Sequence, residues 1–202
     1  MRNTFLNIIF CIFIPTICFS QTHEALSNSE LYSRLKFHEG LWRLENPTRD
    51  KLKEKCGPGS HGFYCETKDS KAYFELRAEM QRRSTILKDP IAQSFFALAL
   101  MDEGNRLGSD ERHAEALSHF RSSCSMDVAS SCFNAGLMLI DGKGSPRSPS
   151  AAIEWFYKAG IGFLKSGDRD KANAALDQIR LADSSSDLAQ KLRNALREPL
   201  QK

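Results

Sequence analysis

Four cysteines form two close pairs along the chain, Cys56 with Cys65 and Cys124 with Cys132. Such pairs can form disulfides or contribute to a metal site, and His61 inside the first pair is also a zinc-ligand type. A structural zinc needs four ligands, however, and no fourth cysteine or histidine lies near that pair. We therefore predict no metal and no cofactor, and we expect a disulfide across the glycine-rich loop between Cys56 and Cys65.

The amino-terminal residues predict the compartment in which these thiols would lie. Arg2 is followed by an uncharged, apolar run from Phe5 to Phe19, and Cys18 and Ser20 provide small residues for cleavage. We interpret residues 1–20 as a secretory signal peptide, because the run is too short for a comfortable membrane span. A retained anchor is the alternative. After removal of the signal we expect no stable membrane insertion, and a periplasmic or secreted protein.

An oxidising compartment favours disulfides over free thiols. Cys11 and Cys18 would leave with the signal, and the remaining four cysteines allow three pairings. We favour the two pairs of near neighbours, with two free buried thiols at positions 124 and 132 as the alternative.

Composition and motifs exclude several classes of function. The formal net charge of +3 falls to only +2 without the signal, which predicts neither nucleic acid nor an anionic membrane as a partner. No Gly-rich phosphate loop, nucleophile elbow or zinc-protease helix is present. We expect the scattered histidines to lie on the surface (His23, His38, His61, His113, His119). We expect a solvated acidic face at Glu103, Asp110, Glu111 and Glu115.

From residue 90 onward the chain nearly repeats itself. The segment from Ala116 to Cys124 is followed 36 residues later by a similar segment, and three positions match closely: Ala116 with Ala152, Leu117 with Ile153, and Phe120 with Phe156. The helices that precede these segments align at an offset of 38 residues, as Ala97–Gly104 with Ala135–Gly142. Internal similarity at this period is typical of a helical repeat array.

The second unit has the clearest motif, with small residues at Ala135 and Gly136, the turn Gly142-Lys143-Gly144, and the aromatic pair Trp155-Phe156. Residues 90–182 therefore resemble Sel-one-like repeats, relatives of the tetratricopeptide repeat. The resemblance implies a short right-handed solenoid of antiparallel helix pairs, all α-helical, with a groove for protein partners. Because Trp155, Phe156 and Tyr157 are adjacent, at most two can face the core, and Trp155 or Tyr157 is left as a contact residue.

The cysteines extend the resemblance to the cysteine-rich, exported bacterial branch of this family. In that branch a cysteine that ends one helix pair bonds a cysteine in the next helix, as Cys124 and Cys132 would here. On one continuous helix these residues would lie roughly 12 Å apart, too far for a disulfide. Asp127 and Val128 must therefore turn the chain between two helices.

Two regions flank the predicted repeats. Residues 21–89 should form a helical region, with a helix over 25–44 that breaks near Gly40, the loop from Cys56 to Cys65, and a helix from Thr67 to Leu87 that exposes Arg82 and Arg83. Residues 183–202 should hold a capping helix from Asp187 to about Arg197, which begins after a run of serines.

These expectations favour an exported adaptor or scaffold that binds a protein or peptide along the first helices of its repeats. Helix phase nominates five contact residues: Asn134, Met138, Asp141, Lys143 and Arg106. The alternatives are a secreted host-interaction effector or a cell-wall hydrolase, since some relatives are β-lactamases or penicillin-binding proteins. The chain lacks the Ser-x-x-Lys motif of those enzymes, so we predict no catalytic residues.

Overall fold

The structure is a computed structural model that describes residues 25–45 and 68–198, with side chains from 25 to 38 and from 73 to 198. Every regular element of the described residues is an α-helix, which confirms the all-α class there. The chain divides into two compact units, Met1–Arg82 and Arg83–Lys202.

The first unit contains helix α1, Asn28–Glu45, and most of helix α2, Lys68–Thr85. Ser27 and Glu30 form a capping box at the start of α1. The Glu30 N–H donates to Ser27 Oγ at 3.3 Å, and the Ser27 N–H donates to Glu30 Oε2 at 3.0 Å. The predicted break at Gly40 is wrong, since α1 continues through it.

Helix α2 packs through Leu76 and Met80, both fully buried. It is slightly shorter than predicted at both ends. The expectation that both arginines of its last turns face solvent is wrong for Arg83, which is only 8% exposed. Arg82 is half-buried and pairs with Glu79 at 2.7 Å. The charged residue type predicted that Arg83 is exposed, but its exposure depends on its position on the helix.

The second unit holds six of the described helices: α3 Pro90–Leu107, α4 Asp110–Ser125, α5 Ala129–Asp141, α6 Pro149–Lys165, α7 Arg169–Ala182 and α8 Asp187–Arg197. From α3 to α8 each helix packs against the next one, and α6 also packs against α8. The last helix has the predicted bounds, with Leu192 and Leu196 buried.

Side-chain caps begin five of these six helices, because the first N–H groups of a helix have no partner inside it. Asp89 Oδ1 accepts from the N–H groups of Ile91 and Ala92 at 2.8 and 3.0 Å. The other four capping residues are Ser109, Ser148, Asp168 and Ser186. Helix α5 is the exception, since Val128 at its start provides no side-chain cap.

The residues matched across the 36-residue offset occupy the same kind of environment. Phe120 and Phe156 are both fully buried, as are Ala116 and Ala152. Gly136 lets the Phe156 ring pack directly against α5, because an added Cβ would lie 2.7 Å from Phe156 Cε1. A large aromatic residue and a small residue therefore pack closely at this pair of helices.

Helices α3 and α5, which the sequence alignment pairs with each other, end differently. The alignment places Gly104 opposite Gly142, but Gly104 lies inside α3, and the left-handed residue that ends α3 is Gly108 at φ 60°. Gly142 ends α5 with φ 70°. Helix α3 thus runs one turn beyond the position predicted by the repeat, and that extra turn contacts the start of α4.

Candidate binding groove

A groove of about 590 Å³ is lined by the end of α4, the start of α5 and the second half of α6. We call it the seam groove. Its lining residues are Cys124, Asp127, Ala129, Cys132, Tyr157, Lys158, Ile161, Gly162, Lys165 and Ser166. Its volume lies in the range of sites that hold small ligands or short peptides.

A disulfide forms one wall of the seam groove. The predicted bond between Cys124 and Cys132 is present, and their Cα atoms are 4.8 Å apart. The chain reverses between them at Asp127, which adopts a left-handed φ of 65°. The predicted turn between two helices is therefore confirmed, and the disulfide holds α5 at the end where it lacks a side-chain cap.

The residues beside each cysteine form a second, polar link. Ser131 Oγ donates to Ser123 Oγ at 2.8 Å, and Ser123 Oγ donates to the carbonyl of Pro90 at 2.6 Å. Both serines are fully buried. The two Ser-Cys dipeptides are thus linked twice, by a hydrogen bond between the serine hydroxyls and by a disulfide between the cysteines. The repeated Ser-Cys dipeptide is visible in the sequence, but only its cysteines pointed to a link between the two helices.

Helix α6 contributes the basic wall of the seam groove through Lys158 and Lys165. Both side chains are exposed, and neither has a carboxylate within 4 Å among the described residues. Gly162 lies between them and allows α6 to approach α5, since an added Cβ would lie 2.7 Å from Ala129 Cβ. Two cations without a carboxylate partner among the described residues therefore border the partly apolar groove.

The aromatic residues of α6 divide as the sequence analysis predicted. Phe156 is buried, whereas Trp155 and Tyr157 are only partly buried. Tyr157 lines the groove. The Trp155 ring lies 4.9 Å from Lys158 Nζ and 5.8 Å from Arg121 Cζ, so it contacts two cations through its face.

The five nominated contact residues lie outside the lining of the seam groove. Met138 is 1% exposed, so its side chain belongs to the core and is not available to a partner. Asn134 is half-buried, and Asp141 pairs with Lys143 at 3.6 Å. Arg106 is exposed in the last turn of α3.

The predicted acidic face and surface histidines need correction where α3 packs against α4. Glu103 is only 4% exposed and lies 3.4 Å from Arg112 Nε. His113 is 6% exposed, and its Nε2 lies 3.2 Å from Asn105 Oδ1. His119 is half-buried with its ring edge against Phe96. Packing between α3 and α4 buries these groups, which spacing along the chain did not reveal.

The other cysteine site lies outside the described residues, since Cys56, His61 and Cys65 fall between 46 and 67. The same holds for the predicted signal peptide and for His23. Within the described ranges, no three histidine, cysteine or acidic side chains are grouped so as to hold a metal ion.

The chain has no match among protein-family models, curated proteins or solved structures. Among residues 25–45 and 68–198, no helix has the combination of length and apolar character needed to cross a bilayer.

Proposed function

We propose that the chain is an exported helical repeat protein of the Sel-one-like kind, and that it works by binding another protein. In this proposal residues 90–182 form a short right-handed solenoid of antiparallel helix pairs, and α8 covers its end. The equivalent burial of Phe120 and Phe156, and of Ala116 and Ala152, supports the repeat. So does the packing of each helix on its successor.

The observation that carries a binding function is the seam groove. It combines an apolar base with two lysines that have no acidic partner among the described residues. Unpaired charges beside apolar surface are typical of a recognition site, because a partner can supply the missing countercharge. The first-helix surface around Asn134 and Asp141 is the second candidate, but Asp141 already has a cation nearby in Lys143.

Export is part of the same proposal. A disulfide that closes so short a loop is typical of proteins from oxidising compartments. Separation of periplasm from medium, followed by detection of the chain, tests export and distinguishes a resident adaptor from a secreted effector. Retention in the cytoplasm with reduced thiols would contradict it.

Crosslinked capture with the oxidised full chain tests the binding function. We expect a defined partner that is captured at lower yield by the Cys124→Ser, Cys132→Ser variant, since the disulfide forms part of the groove wall. Captured material that is the same for the oxidised chain and for a heat-denatured sample would contradict a binding function.

A further inference from the structure

We propose that the seam groove binds an acidic peptide, namely a short extended segment of a partner protein with two carboxylates three residues apart and an apolar side chain between them. The inference rests on the proposed protein-binding function and goes further by naming the surface and the chemistry of the partner.

The spacing of the two lysines determines the spacing of the carboxylates. Lys158 and Lys165 are seven residues apart on α6, so their Cα atoms are separated by about 10 Å along the helix axis. In an extended polyproline-type segment, residues three apart share a face and are separated by about 9 Å. Two acidic side chains with that spacing can therefore each meet one ammonium group.

The base of the groove favours an apolar residue between the carboxylates. Ile161 and Gly162 lie between the lysines on α6, and Ala129 and the disulfide also line the groove. None of these side chains offers a hydrogen-bond donor to a ligand. Burial of a leucine-sized side chain on these apolar groups would add to the affinity, whereas the same groups would not replace the hydration that a polar side chain loses there.

The opposite wall restricts the orientation of the peptide. Asp127 lines the groove from the turn between α4 and α5 and is exposed. Its carboxylate would repel an acidic side chain placed on that wall, so both carboxylates of the peptide must lie toward α6. The groove thereby disfavours peptides that are acidic on both faces.

Trp155 holds one of the lysines in place. The ammonium of Lys158 lies 4.9 Å from the centre of the Trp155 ring, and Arg121 contacts the same ring. A cation held against an aromatic face loses less side-chain entropy when it binds a carboxylate. Trp155 is therefore a positioning residue for this interaction and does not itself line the groove.

The direct test measures binding of a blocked, fluorescently labelled tetrapeptide, Glu-Leu-Pro-Glu, to the oxidised full chain by anisotropy. The control peptide has glutamine in place of both glutamates. We expect tighter binding of the acidic peptide, with an affinity that falls as salt is added. The Lys158→Gln, Lys165→Gln variant should bind it about tenfold more weakly, which corresponds to two modest ion pairs.

Lys191→Gln provides the matched control, because Lys191 is an exposed lysine on α8 outside the groove. It should leave the affinity unchanged. Circular dichroism should show the same helix content for all variants, since each altered side chain is exposed. Equal affinity for the acidic and glutamine peptides, or an equal loss in the Lys191→Gln and groove variants, would overturn the inference.

The groove variant and an Asp141→Asn variant separate this inference from the proposed function. If crosslinked capture of a partner survives Lys158→Gln, Lys165→Gln but is lost with Asp141→Asn, the protein binds partners elsewhere and the inference is wrong. If capture falls in the groove variant and the acidic peptide competes with the partner, both stand. If neither capture nor peptide binding is found, both fail.

Discussion

The two ends of α4 are held in place by different physical means. At its start, Gly144 from the turn after α5 packs against the backbone of His113, and the buried Glu103 lies near Arg112. At its end, α4 is bonded to α5 through Cys124 and Cys132. The first end depends on close packing and buried charge, and the second on a covalent bond.

The two ends of α4 should therefore loosen under different conditions. A disulfide lowers the entropy of the unfolded chain and responds to the redox state of its surroundings. A packed glycine turn does not respond to redox state, but it tolerates no added atom. The seam groove lies at the covalent end, so reduction should affect binding there while the start of α4 stays intact.

Gly144→Ala should have the largest effect on the packed end. Its φ of 75° is unfavourable for alanine. The new Cβ would also overlap the carbonyl group of His113, which belongs to the backbone and cannot move aside easily. We expect a loss of about 3 kcal/mol in the free energy of unfolding, measured with urea. Gly108→Ala is the control, because its φ is 60° with open space around it, and it should lose only about 1 kcal/mol. Equal losses from the two variants would show that the left-handed backbone conformation, and not packing against α4, explains the effect of Gly144→Ala.

At the covalent end, Cys124→Ser, Cys132→Ser should lower the free energy of unfolding by about 2 to 3 kcal/mol, because the disulfide closes a short loop. A reductant should lower the free energy of unfolding of the wild type by about 2 to 3 kcal/mol more than that of the variant, because only the wild type has this disulfide to lose. The comparison of the two ends fails if the reductant lowers the stability of both proteins equally.

Local signals along the chain predicted two features well. Ser186 before Asp187 predicted the start of α8, and a cysteine pair around a turn predicted the disulfide. These features depend on neighbours in the sequence. The burial of Glu103, His113 and Met138 depends on helices that pack from elsewhere in the chain, so residue type alone predicted the wrong environment.

The seam groove illustrates the same limit. Its lining combines the turn at Asp127 with Lys158 and Lys165, which lie between thirty and forty residues further along the chain, and no local pattern indicates that they meet. Helix phase instead nominated the first-helix residues Asn134 and Asp141.

Glu103→Gln should have a smaller effect at the packed end, since it removes the charge but keeps the shape. We expect a loss of about 1 to 2 kcal/mol in the free energy of unfolding, because the buried carboxylate lies close to Arg112. Glu115 pairs with the same arginine at 2.8 Å but is more exposed, so Glu115→Gln should cost about 0.5 kcal/mol. A larger loss from Glu115→Gln would contradict the assignment of Glu103 to the structural pair.

The smallest effect should come from His119, between the two ends of α4. Burial lowers the pKa of His119 below its usual 6.5, and the nearby Glu115 opposes this shift. His119 is therefore protonated more easily in the unfolded chain than in the folded one. The free energy of unfolding is then highest above pH 6.5 as far as this residue contributes, and it falls as the pH drops toward the folded-state pKa. His119→Gln should flatten the stability curve over this interval. An unchanged slope in the variant would contradict a role for this imidazole.

The pairing of Cys124 with Cys132 is tested most directly by peptide mass spectrometry of the non-reduced full chain. Trypsin should release residues 122–143 as one peptide, since no lysine or arginine lies between Arg121 and Lys143. We predict that this peptide is lighter by two hydrogen atoms than after reduction, because both its cysteines share one bond. Recovery of the peptide with two free thiols, or joined to a peptide that contains Cys56 or Cys65, would contradict the account.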